Sequence, residues 1–410
     1  MNDDDDVSWL EVETAIKKMK SNKSAGIDEF SVDMIKSLGP IGVQWVYRVV
    51  KAIWRENCVP DDWKRGIIIP FFKKGDKKKC PNYRGITLLS HGLKLYESVL
   101  AEKIRKKIEP YLEEEQHGFR PNRSTIDLIF AIRMLFEKFW EKNKPIIAVF
   151  LDIEKAYDSI PRHLIWEVLL KKGVPEGIVA RVKQLYRDTK SCIQIQASRS
   201  DWFETRSGVQ QGSCLSPLLF ISIMDDIIKS VKERDQICNA MAFADDVMIW
   251  GKNVKEVQQQ LNSWKEEFDR FGLKISQSKT VCLVMSREIE AVKLKIGHQE
   301  IENVQQFKYL GSVVTSDNRL TQETSSRIKA AANFYSSVRH LLWDKSFPQA
   351  AKVSLYKMYL IPILTYGLEA ATLTRRDNSR IQAMEMKFDR ASKKPDWIKS
   401  PMNLSVFIWD

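Results

Sequence analysis

An unbroken apolar run, Ile146 to Leu151, ends on an acid, Asp152, and leaves this chain few ways to fold. Six apolar residues without alternation suit a strand buried on both faces, in the middle of a sheet. A second segment repeats the theme. Met241 to Trp250 reads apolar, Asp245-Asp246, apolar, which is two short strands joined by a tight turn. Carboxylates at the ends of central strands are costly unless something compensates them. A divalent cation is the natural partner, because Mg²⁺ takes hard oxygen ligands, commonly one or two protein carboxylates plus phosphates. Two such ions ~3.5–4 Å apart stabilise both the attacking and the leaving oxygen of a phosphoryl transfer. Successive strand side chains point to opposite faces. Asp245 is therefore expected to be the firm ligand and Asp246 a supporting one. An isolated Asp-Asp would read as a solvated turn; the apolar flanks and Asp152 upstream argue against that.

Around these strands the pattern alternates helix and strand. Ser8 to Glu11 forms a capping box before an apolar helical face of Trp9, Val12, Ile16 and Met19. Gly66–Phe72 is β-rich, Leu93–Ile108 and Ser124–Trp140 have helical period, and Asp158 reads as the cap of a helix stopped by Gly173. Cys192–Ala197 alternates, with Trp202–Arg206 as its hairpin partner. Val254, Val257, Leu261, Trp264, Phe268 and Phe271 form a helical stripe; Thr280–Ser286 and Phe307–Val314 read as strands. From about Thr321 the chain is mainly helical until Ala391–Asp410, where the period is lost. The fold class is α+β with a helical C-terminal part.

Net charge is +12 over 410 residues, which points toward nucleic acid or another polyanion. Its distribution is more telling. Lys64 to Arg84 holds eight basic residues against one acid, Asp76, a local charge of +7. That loop reads as a polyphosphate-facing flap, or more plainly as a solvated loop. The six cysteines form neither CxxC pairs nor a Cys/His cluster, against a structural zinc or a disulfide scaffold. No apolar run approaches the ~18 residues of a membrane span, and the N-terminus lacks the pattern of a signal peptide. The expected location is inside the cell, in the nucleus if the protein is active.

In order along the chain, seven segments resemble the reverse transcriptases of LINE-type non-LTR retrotransposons. Ala148–Asp158 (AVFLDIEKAYD) is similar to the first palm motif and Gly208–Phe220 (GVQQGSCLSPLLF) to the second. Phe243–Asp246 (FADD) is similar to the third and Gly272–Thr280 (GLKISQSKT) to the fourth. Phe307–Gly311 (FKYLG) resembles the primer-grip segment. Asn82–Leu89 (NYRGITLL) and Gln116–Thr125 (QHGFRPNRST) resemble fingers motifs. The likeness runs from about Trp9 to Thr374. Gly85 stands where many members carry Pro, and Ser276 where many carry Asn.

The resemblance implies a right-hand polymerase of fingers, palm and thumb, with an N-terminal extension and fingers over 1–145, palm and primer grip over 146–316, a helical thumb over 317–390, and a tail over 391–410. It implies an RNA-directed DNA polymerase that joins deoxynucleoside triphosphates to a DNA primer on an RNA template, with Mg²⁺, or alternatively Mn²⁺, as cofactor. Asp152, Asp245 and Asp246, together with the backbone carbonyl of Ile153, would hold the metal. Tyr157 would lie under the sugar and exclude a 2′-hydroxyl. Gln211 and Gly212 would face the incoming nucleotide or template. Lys73 and Arg84 are the triphosphate candidates, with Lys74 as the alternative to Lys73. Lys279 would meet the leaving pyrophosphate. Arg120 is either a template contact or a structural ion pair. Phe307, Tyr309, Leu310 and Gly311 would contact the primer.

Proteins of this kind often carry a nuclease domain, for which no segment here is a candidate. The expectation is a polymerase core cut from a longer protein, active or relic. Its rival is a domesticated, non-catalytic nucleic-acid-binding protein that keeps the fold. A metal-dependent nuclease is a weaker third reading, lacking clustered additional ligands.

Overall fold

The computed structural model describes residues 6–235, 238–288 and 291–392. The chain is α+β and divides into two compact units that it enters more than once. One comprises Met1–Arg120, Ile153–Gln236 and Ser263–Ile275; the other comprises Pro121–Asp152, Ile237–Asn262 and Ser276–Asp410.

The second unit is built on the apolar run. Ile146–Leu151 is a strand with every residue buried, and it is the middle one of five. It pairs antiparallel with Asp246–Gly251 on one side and Val281–Met285 on the other. Ala240–Phe243 and Glu302–Asn303 form the edges. Ile146, Ala148 and Phe150 share an apolar cluster with Leu128, Ile132 and Phe136 of the helix Thr125–Glu141. That helix begins at a capping box in which Ser124 and Asp127 satisfy each other's backbone N–H groups.

The segment expected as one strand over Phe307–Val314 is instead a hairpin, Gln306–Tyr309 with Ser312–Thr315. It reverses at Leu310 and Gly311, whose φ angles are +46° and +83°. Gly311 adopts that conformation without strain, so the apolar alternation continues across a turn that periodicity alone does not reveal. The helices Thr321–Trp343, Gln349–Leu355, Ile361–Thr365 and Arg375–Ser392 follow, around a core of Ala331, Tyr335, Leu360, Leu364 and Phe388. Most of the expected tail, residues 393–410, lies outside the described residues.

In the first unit, the helix Trp9–Lys18 starts at the expected capping box. Arg65–Phe72 and Tyr83–Leu88 form an antiparallel hairpin whose connection carries Lys73 to Asn82. Arg65–Phe72 also pairs parallel with Lys190–Ile195, which turns back to pair antiparallel with Ser198–Arg199 and then with Phe203–Glu204 of the expected partner segment. Two long helices fill the interior: His91–Ile108, capped by Ser90, and Ser216–Arg234, with Pro217 in its first turn. Asp158 is not a helix cap. It lies inside a single turn, Ala156–Ser159, and the next helix, Arg162–Lys171, begins after Pro161 with no side-chain cap. Proline at that position already fixes the backbone for helix entry, so the cap is dispensable and Asp158 is released for another contact. Among the described residues no helix is long and apolar enough to cross a membrane.

Candidate active site

Sheet register brings the acids together. Leu151 pairs with Val247 and Phe243 with Asp246, so continuing the register by one residue sets Asp152 beside Asp246. Ala244 and Asp245 are left as the two-residue turn, with Ala244 at φ +58°. Asp152 is fastened from the turn that leads into the strand Val281–Met285. Its carbonyl accepts from the Ser276 N–H at 2.7 Å, and its own N–H donates to Thr280 Oγ1 at 3.3 Å. Ser276 thus makes this contact through its backbone, which any residue at that place supplies.

The electrostatics of the cluster follow from this crowding. Desolvation, then the charges of Asp245 and Asp152, push the Asp246 carboxyl up to about 6. Lys279 Nζ lies 3.1 Å from Asp152 Oδ1. Underneath, the buried Tyr309 donates its hydroxyl to the Asp246 carbonyl at 2.9 Å. Burial and the nearby acids hold that phenol well above its usual range. Its ring packs against Phe150 at 5.1 Å, as does Phe307 at 4.6 Å. Phe307 and Tyr309 therefore brace the strand that presents the carboxylates. Leu310 and Gly311 are gripped through their carbonyls by Tyr366 (2.6 Å from Leu310) and by Arg327.

Whether these acids suit a divalent cation can be judged from their chemistry. Among the described residues no three acidic, His or Cys side chains form a group that could hold a metal ion by themselves. Mg²⁺ does not require one, since substrate phosphates and water complete its shell. Desolvation first, and the charges of Asp245 and Asp152 second, raise the Asp246 pKa, an unfavourable state that a cation would relieve. One or two of these carboxylates, with phosphate and water oxygens, would suffice for an open Mg²⁺ site.

The first unit holds a separate group of the expected side chains. The Tyr157 ring stacks on Phe220, centroids 4.7 Å apart and planes 10° from parallel. Gln211 donates Nε2 to Asp158 Oδ1 at 3.1 Å, the contact that Asp158 makes in place of a cap. Its carbonyl accepts from the Thr87 N–H at 2.7 Å. Gly212, at φ +130°, passes so close that a Cβ there would meet the Thr87 carbonyl oxygen at 2.4 Å. Only glycine fits. A cavity of about 250 Å³ opens here, lined by Gly85, Thr87, Asp158, Arg162 and Gln211 among others. Ile153 bridges to Ile275. Lys73 and Arg84 are exposed at the end of the basic hairpin, where the Lys73 N–H donates to the Asn82 carbonyl at 2.8 Å.

Residues 73–314 match the family described as reverse transcriptase (RNA-dependent DNA polymerase). The chain belongs to this family. It is 28% identical over 407 residues to a probable RNA-directed DNA polymerase from transposon BS of Drosophila melanogaster, covering 93% of this chain and 44% of that protein. It is 25% identical over 408 residues to the corresponding protein of the X-element of the same fly, covering 94% and 44%. The Pol polyprotein of a type-1 retrotransposable element R2 of Nasonia vitripennis is 24% identical over 343 residues, covering 79% and 32%. The chain thus spans less than half the length of these relatives.

Arg120 forms an ion pair with Glu109, one of its two expected roles. Its side chain is 7% exposed; Nε donates to Glu109 at 2.8 Å, and NH1 donates to the carbonyls of Glu113 and Gln116. It ties the Glu109–Arg120 loop together. Sequence reasoning missed Thr280, which hides behind Lys279 in the same motif, and Glu97. The signal for Glu97 was present. It lies between Leu93 and Leu100, at helical spacing from both on a buried face, where an acid requires partners.

Proposed function

We propose that the chain is the RNA-directed DNA polymerase core of a non-LTR retrotransposon. It would extend a DNA primer on an RNA template by two-metal phosphoryl transfer. The observation that carries this reading is the meeting of Asp152, Asp245 and Asp246 at the end of one buried sheet, inside the span that matches the family. In this reading the basic hairpin belongs to the fingers, the five-stranded sheet to the palm, and the helices after residue 317 to the thumb.

The primer 3′-hydroxyl attacks the α-phosphorus of a deoxynucleoside triphosphate. The bond between the α-phosphorus and the α–β bridging oxygen breaks, pyrophosphate leaves, and the hydroxyl proton passes to water. Asp152 and Asp245, supported by Asp246 and the Ile153 carbonyl, would hold Mg²⁺ or Mn²⁺, which supplies charge stabilisation to the attacking and leaving oxygens. The protein's own part is positioning and electrostatics. Tyr309 fixes the Asp246 backbone, and Thr280 and Ser276 fix that of Asp152. Lys279 offers a cation to the departing pyrophosphate. Lys73, or Lys74, and Arg84 neutralise the triphosphate; Gln211 and Gly212 form a wall of the nucleotide site. Because Gln211 Nε2 is engaged by Asp158 while Oε1 is buried without a partner, Gln211 would present an acceptor to a donor on its ligand.

Primer extension on poly(rA)/oligo(dT) with Mg²⁺ or Mn²⁺ tests the reading. Extension by the purified chain, abolished in Asp152→Asn and Asp245→Asn while primer–template binding persists, is the expected result. Binding without extension in the unaltered protein would instead favour a non-catalytic scaffold.

A further inference from the structure

Glu97 is 1% exposed in the middle of the helix His91–Ile108, and both of its carboxylate oxygens accept hydrogen bonds from one distant loop. Oε1 takes the Ser213 hydroxyl at 2.8 Å, and Oε2 takes the Cys214 N–H at 3.0 Å. Ser213 Oγ in turn accepts the N–H groups of Leu215 and Ser216, at 3.0 and 3.2 Å, and so orders the entry to the helix Ser216–Arg234. The loop held in this way is the one that carries Gln211 and Gly212.

Donor and acceptor counting makes the arrangement demanding. A serine hydroxyl has one proton and two lone pairs. Here the proton goes to Glu97 and both lone pairs are used by backbone N–H groups. Glu97 therefore faces two donors, Ser213 O–H and Cys214 N–H, and no spare acceptor. A carboxylate satisfies both. A carboxylic acid, or a glutamine, brings an extra hydrogen that must displace one of the backbone N–H groups from its partner.

We propose that Glu97, as a carboxylate, is the positioning residue that fixes the Gln211–Ser216 loop and thereby sets nucleotide affinity; this consequence rests on the polymerase reading above. Burial opposes the charge that the geometry requires. Desolvation pushes the Glu97 carboxyl up to about 7, against the lowering effects of Ser213, Cys214 and Lys94. The other titratable groups around it are Tyr186 on the helix Glu176–Tyr186 and the Cys214 thiol. Burial first, and the Glu97 charge second, raise the pKa of both. None of these changes charge near neutrality before Glu97 does. The loop contact is therefore present above about pH 7 and weakened as Glu97 protonates below it.

Two measurements test this on Glu97→Gln and Ser213→Ala alongside the unaltered chain. The first is amide hydrogen exchange of Cys214, Leu215 and Ser216, corrected for intrinsic rates, which does not depend on activity. Protection should fall in Glu97→Gln at all pH values, and in the unaltered chain as pH drops through about 7. The second is single-nucleotide insertion from about pH 6 to about pH 8.5. KM for the nucleotide should rise roughly tenfold in Glu97→Gln, with kcat within about twofold. The variant-to-unaltered KM ratio should shrink toward low pH. Ser213→Ala, which removes one stabilising donor, should move the inflection to higher pH. Unchanged protection in Glu97→Gln would overturn the proposal whatever the kinetics. Lost protection with a fall in kcat alone, or a pH-independent KM ratio, would overturn the nucleotide-affinity role in favour of simple support. No extension by the unaltered chain would defeat the polymerase reading, leaving hydrogen exchange to decide the loop contact.

Discussion

Asp246 carries the conflict of the site in one side chain. Its carboxyl is raised to about 6, above the ordinary aspartate value near 3.8, by desolvation and by Asp245 and Asp152. Between those two pH values the folded state holds more protons than the unfolded state, so this group's contribution to stability declines as pH rises through the window. Asp246→Asn is therefore expected to raise the thermal midpoint in metal-free buffer at pH 7.5 and to leave it unchanged at pH 4. A variant that melts lower at pH 7.5 would show that Asp246 has an unrecognised stabilising partner. Tyr309 makes a separable contribution. Tyr309→Phe leaves the Asp246 carbonyl without its donor, at about 0.5–1.5 kcal/mol. Chemical denaturation should register that loss together with slower extension, whereas stability equal to the parent would demote the hydroxyl to a bystander. The sugar test falls on Tyr157. Its ring is already packed flat on Phe220, so shrinking it opens space in a close-packed place where a clash costs on the order of 1–3 kcal/mol. In Tyr157→Val the ratio of ribonucleotide to deoxynucleotide kcat/KM should rise roughly ten- to a hundredfold. An unchanged ratio, with both activities reduced alike, would return Tyr157 to a purely packing role.

The decisive element is the hairpin Ala240–Phe243 and Asp246–Gly251. A two-residue connection with positive φ at its first central position is the pattern of a II′ turn, which glycine ordinarily occupies. Ala244 holds that position at φ +58° and is buried. Ala244→Gly should be close to neutral, since relief of strain is offset by about 0.5–1 kcal/mol of added backbone entropy. Ala244→Val should cost about 1–3 kcal/mol. Equal denaturation midpoints for the two variants would mean that the turn relaxes and stores no strain. Much of this hairpin was legible in the sequence, because an apolar–acid–apolar pattern permits little besides two strands and a tight turn. The central strand was legible for the same reason. The Phe307–Val314 segment was not, because its turn keeps the apolar alternation. Asp158 and Arg120 have partners that spacing does not expose. Asp158 reaches Gln211 from 53 residues away, and Arg120 is enclosed by carbonyls of its own loop. Glu97 was read only as one position of a periodic helix, since its partners lie 116 and 117 residues further on.

At the scale of the molecule, charge is the property that sequence alone makes quantitative. A net +12 with +7 concentrated between Lys64 and Arg84 would mean little if those side chains were consumed by acids. The fold places Lys73 to Lys79 in the connection of the Arg65–Phe72 and Tyr83–Leu88 hairpin, where all five lysines are exposed. The one acid of that connection, Asp76, has its carboxylate on the Lys78 backbone N–H at 2.9 Å. The flap's cations are thus presented to solvent and available to phosphates. Binding that depends on releasing counterions from phosphates weakens linearly in log–log form with salt, by ~0.7–0.9 per contact. Template–primer affinity measured between about 50 and about 300 mM salt should therefore fall with a slope of several units and vary little with base sequence. Replacing Lys77, Lys78 and Lys79 together by Gln should reduce the slope by about two to three if all three meet phosphates. The fold should persist in that variant, because none of the three makes a buried contact and surface ion pairs contribute little. A slope equal to that of the unaltered chain would place the flap away from the nucleic acid and shift the electrostatic footprint to other basic surfaces. A flat salt response in the unaltered chain would remove the polyanion from the reading altogether.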